Sequence, residues 1–289
     1  HYGEPYADSS AVPTYYVAKE TRKHVTVALN GDGGDESFAG YERYIAMGIT
    51  EKYRKIPPLL RESIIRRAVD LIPIDPSKRN KINSAKRLLE VVSRPGVHRY
   101  MHWMSAFNER LKGPLYSDFF REQTSDADAT GVLGAWFKRA NGIGLVDALL
   151  LTDQMTYLPN DLLVKVDIAT MAVSLEARSP FLDHHVIEFA ASLPVNLKLR
   201  GLTSKYLLKK VLRKLLPSEN LNRRKMGFGV PIGHWFRGKM QPFLREVILS
   251  DKALRRGLFK PEAVKQLVEL HVRRERDYSH QLWTLLMLE

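Results

Sequence analysis

Apolar side chains recur at helical spacing through most of this chain and at strand spacing almost nowhere. The run Leu59 to Leu71 (LLRESIIRRAVDL) sets its apolar residues on one face at a period of about 3.6, which predicts an amphipathic helix. The same spacing predicts helices over Ser84 to Ser93, Pro95 to Asn108, Leu145 to Leu158, Asp183 to Leu193, Ser204 to Leu215, Met240 to Leu249, Pro261 to Arg274 and His280 to Leu288. Near the start, Ser9 and Ser10 read as N-caps of a helix running to about Lys23, with Pro13 inside its first turn, where no intrahelical N–H is needed. Tyr41 to Arg54 reads as a further helix. Residues 125–131, Ser-Asp-Ala-Asp-Ala-Thr-Gly, are the most linker-like stretch, at the length of an ordinary loop.

One segment breaks the helical pattern. His24-Val25-Thr26-Val27-Ala28-Leu29 is short, apolar and β-branched, which predicts a strand buried on both faces. It is the only convincing strand in the sequence. A lone parallel strand leaves its backbone groups unpaired, so its partners are expected on polypeptide outside this chain.

The strand runs into Asn30-Gly31-Asp32-Gly33-Gly34-Asp35-Glu36. A glycine-rich turn after a parallel strand lies where α/β sheets bind ligands, and it lets backbone N–H groups approach a phosphate. The carboxylates there suit a phosphate only with a hard cation between them. An acidic turn capping the next helix is the plainer reading. The turn lacks the Gly-Lys-Ser/Thr ending of a Walker A loop.

Two further segments carry candidate chemistry. In Tyr157 to Asp183 (YLPNDLLVKVDIATMAVSLEARSPFLD), Pro159, Asn160 and Asp161 look like a helix start. Leu162, Val166, Ala169 and Ala172 or Val173 would form the apolar stripe, presenting Asp161, Lys165 and Asp167 away from the core. Glu176 and Arg178 read as a buried structural pair, or, with the other charges, as ordinary capping and surface pairing. In Asn222 to Gly238 (NRRKMGFGVPIGHWFRG), Lys225 with Arg223 and Arg224 could meet pyrophosphate, or could be cations at a helix C-terminus.

Composition narrows the field. The 289 residues are 44% hydrophobic and contain no Cys, which removes disulfides, thiolate metal sites and cysteine nucleophiles within the chain. No apolar run reaches the roughly 20 residues of a bilayer span, and the first residues form no signal peptide; cytoplasm is the expected compartment. The chain opens on His1 with no initiator Met, as a fragment would. The net charge of +13 fits either a solubilising surface or a polyanion partner. The basic residues are scattered, and no nucleic-acid module accompanies them, so neither nucleic acid nor membrane is expected as a partner.

Together the three segments resemble the glutamine-hydrolysing asparagine synthetase family. Its Ser-Gly-(Glu/Asp)-Gly-(Ser/Gly)-Asp-Glu loop, followed by an aromatic and Gly-Gly-Tyr, reads here from Asn30 to Tyr41, with Asn30 for the Ser and Ala39 for a Gly. Its Val-Asp-(x)3-Met-Ala-(x)2-Leu-Glu-Ala-Arg-x-Pro-Phe-Leu-Asp pattern reads without a gap from Val166 to Asp183, and its Lys in an Arg-rich turn falls at Lys225. The resemblance implies a nucleotide-alpha-hydrolase-like α/β domain of the PP-loop ATPase type, truncated, mostly helical here with remnant parallel strands. Residues 1–289 would be the synthetase domain without its N-terminal part, which carries a Ser-Gly-Gly-x-Asp-Ser pyrophosphate loop, and without the glutaminase domain.

The activity implied is adenylation of the aspartate side chain by ATP with Mg²⁺, then attack by ammonia derived from glutamine, giving asparagine, AMP and pyrophosphate. Lys225 and Asp161 would be catalytic, the latter matching the family's acidic position loosely. Asn30, Gly31, Asp32, Gly33 and Gly34 would line the nucleotide and substrate cleft, Asp35 would contact the metal, and Glu176 and Arg178 would be structural beside the site. The chain alone is expected to be inactive. The missing glutaminase domain would be its partner, and a homodimer is one assembly the resemblance allows. The rivals are a sibling amidotransferase or β-lactam-type synthetase acting on another carboxylate, and a non-catalytic basic helical module.

Overall fold

The computed structural model describes residues 1–60, 89, 91, 92, 94, 96–222 and 227–289. The helices expected at Leu59 to Leu71 and Ser84 to Ser93 lie largely outside these residues. In chain order the described elements that frame the site are α1 (Ala11–Arg22), β1 (Val27–Leu29), α2 (Gly34–Ser37), α3 (Glu42–Arg54), α4 (Gly96–Met104), α5 (Ala129–Arg139), α6 (Leu145–Met155), α7 (Leu163–Met171), β2 (Glu176–Arg178), α8 (His184–Ser192), α9 (Tyr206–Leu212), α10 (Ile232–Arg237), α11 (Gln241–Ile248), α12 (Pro261–Val272) and α13 (Ser279–Leu288). Where periodicity predicts helices within the described residues, helices form, most of them shortened at their ends by up to four residues and the last begun one residue early, at Ser279. The linker-like stretch instead begins α5: Asp128 caps it, its Oδ1 accepting from Thr130 N–H at 2.8 Å. At α1 the cap is one step further out. Neither serine side chain caps the helix. Asp8 takes the Ser10 N–H at 2.9 Å and the Ser10 hydroxyl at 2.7 Å.

The expected lone strand has a partner within the chain. β1 pairs in parallel with β2, in register Val27 to Glu176, Ala28 to Ala177 and Leu29 to Arg178. The segment Glu-Ala-Arg hides its strand character because it carries no apolar run. The two-face burial expected of β1 is also overturned: Val27 is 39% and Leu29 74% exposed. Helix α1 packs on α7 beside this sheet.

Two apolar clusters hold the rest. Tyr44 and Met47 of α3, Tyr100 of α4, Leu133 of α5, Leu149 and Leu150 of α6, and Ala39, fully buried just before α3, form one. Ile232, Phe236, Leu244, Ile248, Val268, Leu282 and Leu285 of α10 to α13 form the other.

A fully buried histidine sits in the second cluster. His271 Nε2 lies 3.3 Å from Gly233 O, and Nδ1 accepts from Tyr278 N–H at 3.1 Å, with Arg237 Nη2 3.3 Å away. That arrangement needs a neutral ring. Burial and then the Arg237 charge push its pKa below the ordinary histidine value. The neutral form is therefore favoured in the fold, so this stabilisation is complete above about pH 6.5, the unfolded value, and declines as pH falls below it. Melting temperature is expected to drop between about pH 7.5 and pH 5.5, and less so in His271→Gln. Equal pH slopes for the two proteins would remove this role.

Candidate functional site

The glycine–acid turn is shaped by what it must fit against. Asn30 N–H donates to Arg178 O at 2.9 Å, carrying the β1–β2 ladder one residue further, and the Asn30 side chain accepts from Asp32 N–H at 3.4 Å. Gly31 is exposed, and its carbonyl accepts from Gly34 N–H at 3.3 Å. Gly33 starts α2 at φ 82°, a left-handed conformation, and a β-carbon there would lie 2.4 Å from Leu182 Cδ2. Gly34 packs on Phe181, 3.3 Å from where its β-carbon would be. The Ser179 hydroxyl donates to the Asp32 carbonyl. The turn and the Glu-Ala-Arg-x-Pro-Phe-Leu segment are thus locked together by strand pairing, packing and a hydrogen bond.

Four charged groups gather beside that turn. Lys165 is only 8% exposed, and its Nζ meets Asp8 Oδ2 at 2.8 Å. The expectation that Lys165 points away from the core is therefore overturned. Lys165, Ala169 and Thr170 make the buried face of α7, while Asp167 is exposed as expected. Burial alone would raise the Asp8 carboxyl, but the Lys165 contact and the Ser10 hydrogen bonds carry it below the ordinary value. Burial pushes the Asp32 carboxyl up; Lys165 opposes this and the Asp35 charge adds to it. Asp161 is also pushed up by burial, with the Asp8 charge adding, against the Tyr6 hydrogen bond and the charges of Lys165 and Arg43. Tyr6 OH lies 2.7 Å from both Asp161 Oδ1 and Asp161 O, and its ring stacks on Tyr2 at 4.3 Å. Pro159, Asn160 and Asp161 open a helix as expected, although its first turn is not α-helical. Asp161 sits in a π-helical turn, Leu158–Leu162, that runs directly into α7, a geometry common at functional sites.

Asp35, whose charge reaches Asp32, pairs with Lys205, whose Nζ lies 2.9 Å from its Oδ1. Behind the turn lies a buried polar network that sequence reasoning missed. Asp153 Oδ2 accepts from Arg43 Nη2 at 2.7 Å, from Tyr100 OH at 2.5 Å and from Tyr44 OH. The Arg43 guanidinium lies 3.8 Å from the centre of the Tyr41 ring and 4.7 Å from that of Tyr157. Tyr41 OH donates to the buried carboxylate of Glu36, which burial pushes up. An acidic residue inside the apolar run Leu-Val-Asp-Ala-Leu-Leu-Leu-Thr-Asp of α6 was the available signal.

The structure therefore sets Asn30, Gly31, Asp32, Gly33, Gly34 and Asp35 at one end of the β1–β2 pair, with Asp161 joined to them electrostatically through Lys165. Glu176 and Arg178 pair at 2.7 Å with side chains 53% and 62% exposed, so of the two readings the surface pair holds and the buried one does not. Lys225 lies outside the described residues. Among the described residues no group of three or more His, Cys, Asp or Glu side chains is placed to hold a metal ion. No described helix is long and apolar enough to cross a membrane.

Comparison with known proteins adds an independent finding. The family described as asparagine synthase matches residues 1–289. The chain is 34% identical over 287 residues to asparagine synthetase [glutamine-hydrolyzing] 1 of Bacillus subtilis, covering 99% of this chain and 43% of that protein. It is 33% identical over 285 residues to a putative asparagine synthetase [glutamine-hydrolyzing] of Mycobacterium bovis, covering 98% and 42%. A more distant relative, amidase chyE of Penicillium rubens, is 21% identical over 266 residues, covering 85% and 38%. The chain thus spans less than half the length of these curated relatives. No solved structure matches.

Proposed function

Because the chain belongs to the asparagine synthase family, we propose that it is the adenylating part of a PP-loop-type synthetase that forms asparagine from aspartate, ATP and ammonia. The observation that carries this reading is the docking of the glycine–acid turn onto the Glu176–Leu182 segment, with Asp161 and Lys165 beside it. In the reaction an aspartate side-chain oxygen attacks the α-phosphorus and pyrophosphate leaves. Ammonia then attacks the acyl carbon, AMP departs with the electrons of the C–O bond, and a proton leaves nitrogen. Asn30, Gly31, Asp32, Gly33 and Gly34 line the cleft. Asp161, held above its ordinary pKa, acts on the acyl-transfer step, where a stronger base takes that proton more readily. Lys225 stabilises the pyrophosphate charge.

The donor set suits Mg²⁺. This ion keeps several waters and uses one or two carboxylates besides substrate phosphates, so Asp35 with Asp32 nearby is enough protein for it. Bound there, it would neutralise phosphate charge during transfer. Residues 1–289 would need the preceding polypeptide, with its pyrophosphate loop and glutaminase domain; the exposed Val27 and Leu29 and the partial coverage of the relatives favour this. The chain by itself is then inactive.

The test is pyrophosphate release by the intact protein with ATP and aspartate, compared with other carboxylates. Asp161→Asn and Lys225→Met are each expected to slow turnover about 100-fold or more, in line with loss of a general base or of one charge-stabilising donor. Faster turnover with a different carboxylate would move the protein to a sibling amidotransferase. Turnover by the chain in isolation would remove the need for further polypeptide.

A further inference from the structure

Asp35, the proposed metal contact, already has a cation. Its Oδ1 lies 2.9 Å from Lys205 Nζ, with both side chains largely withdrawn from solvent. Backbone geometry holds Lys205 in that place. Its φ of 51° lies in the left-handed region, its N–H donates to Phe38 O at 3.2 Å, and its carbonyl accepts the first bond of α9, from Lys209 N–H at 2.9 Å. The backbone just after α2 and the start of α9 are thereby tied together. Gly40 supplies the space. A β-carbon at that position would lie 1.7 Å from Asp35 Oδ1 and 2.4 Å from Lys205 Cε, so the ion pair occupies room that any other residue would fill.

An ammonium and a divalent cation cannot share one half-buried carboxylate oxygen without strong mutual repulsion. We propose that Lys205 is a resident counter-ion on Asp35 that the metal must displace, and that it thereby sets the affinity of the site for free divalent cation; this role rests on the reading of Asp35 as a metal contact. A cation arriving alone meets a carboxylate already neutralised. A cation arriving with nucleotide brings phosphate oxygens as ligands and negative charge that compensates the displaced ammonium. Lys205 is in this sense a positioning residue that makes metal binding depend on nucleotide. A lysine that merely braced α9 would weaken metal binding when removed; a resident counter-ion strengthens it.

The measurement is Mn²⁺ titration of the intact protein without nucleotide, followed by electron paramagnetic resonance, with circular dichroism to establish folding. Lys205→Met is expected to bind Mn²⁺ about tenfold or more tightly than wild type, from loss of a like charge at contact distance. Lys205→Arg, which keeps the charge, is expected to stay within about threefold. Adding Asp35→Asn to K205M is expected to abolish the gain. If K205M does not fold, Lys205→Gln takes its place. No gain in affinity on removing the charge overturns the role of Lys205, and a loss of binding in Asp35→Asn alone would leave Asp35 as a metal contact. A gain that survives Asp35→Asn puts the cation elsewhere, and both the inference and the metal reading fall.

Discussion

Replacing Asp153 by alanine is expected to cost about 3–5 kcal/mol of folding stability, the usual result of breaking a buried ion pair from one side. The carboxylate is fully buried, and Arg43 is 15% exposed. Without Asp153, the guanidinium and the hydroxyls of Tyr44 and Tyr100 lose a shared acceptor inside the α3–α4–α6 cluster. Cation–π contacts with the Tyr41 and Tyr157 rings would hold Arg43 in place rather than let it swing to water. Urea unfolding of wild type and variant checks this, reading the midpoint at constant m-value. A loss below about 1 kcal/mol, the range of exposed pairs, would mean that water screens the network. Asp153→Asn keeps an acceptor oxygen and is expected to cost less. Because Tyr41 joins this network to Glu36 on α2, the same change should loosen the glycine–acid turn.

The second large effect is expected at Gly40. An alanine methyl placed 1.7 Å from the Asp35 carboxylate oxygen and 2.4 Å from Lys205 Cε forces both side chains aside. Overpacking of this kind costs about 1–3 kcal/mol, but the greater consequence falls on chemistry. A group displaced by about an ångström from its working position can lose about 100-fold in rate. On the proposed reaction, Gly40→Ala in the intact protein is therefore expected to slow pyrophosphate release about 100-fold while the protein stays folded at room temperature. Gly48→Ala serves as the control, because a β-carbon there meets nothing within 4 Å. Equal rates in the two variants would show that the placement of Asp35 does not matter.

Much of this fold could be read from the chain because helices declare themselves locally. The spacing of apolar residues in Pro261 to Val272 or Ser279 to Leu288 depends on nothing beyond those residues. What stayed hidden depends on distant partners. β2 is a strand because β1 lies alongside it, and nothing in Glu-Ala-Arg says so. α5 was obscured by Gly131 and Gly134 and by the polar residues at its cap. Lys165 breaks the pattern for an electrostatic reason. A lysine on an amphipathic helix is ordinarily placed outside, and only the carboxylate of Asp8, brought in by the packing of α1 on α7, makes the interior tolerable. The glycine–acid turn was legible because three glycines beside carboxylates are a local signature. Lys205 and the Arg43–Asp153 pair were not, since each is defined by a contact between segments far apart in sequence.

The two short strands bear on how such a chain behaves in the laboratory. Among the described residues β1 bonds only to β2, so each leaves one flank of amide and carbonyl groups without a neighbouring strand, and Leu29 stands 74% open to water next to it. Bare flanks with greasy neighbours recruit other strands, including those of identical molecules. Expressed in isolation at high concentration, the chain would drift toward insoluble stacks, and solubility tags or dilute handling would decide whether it is recovered at all.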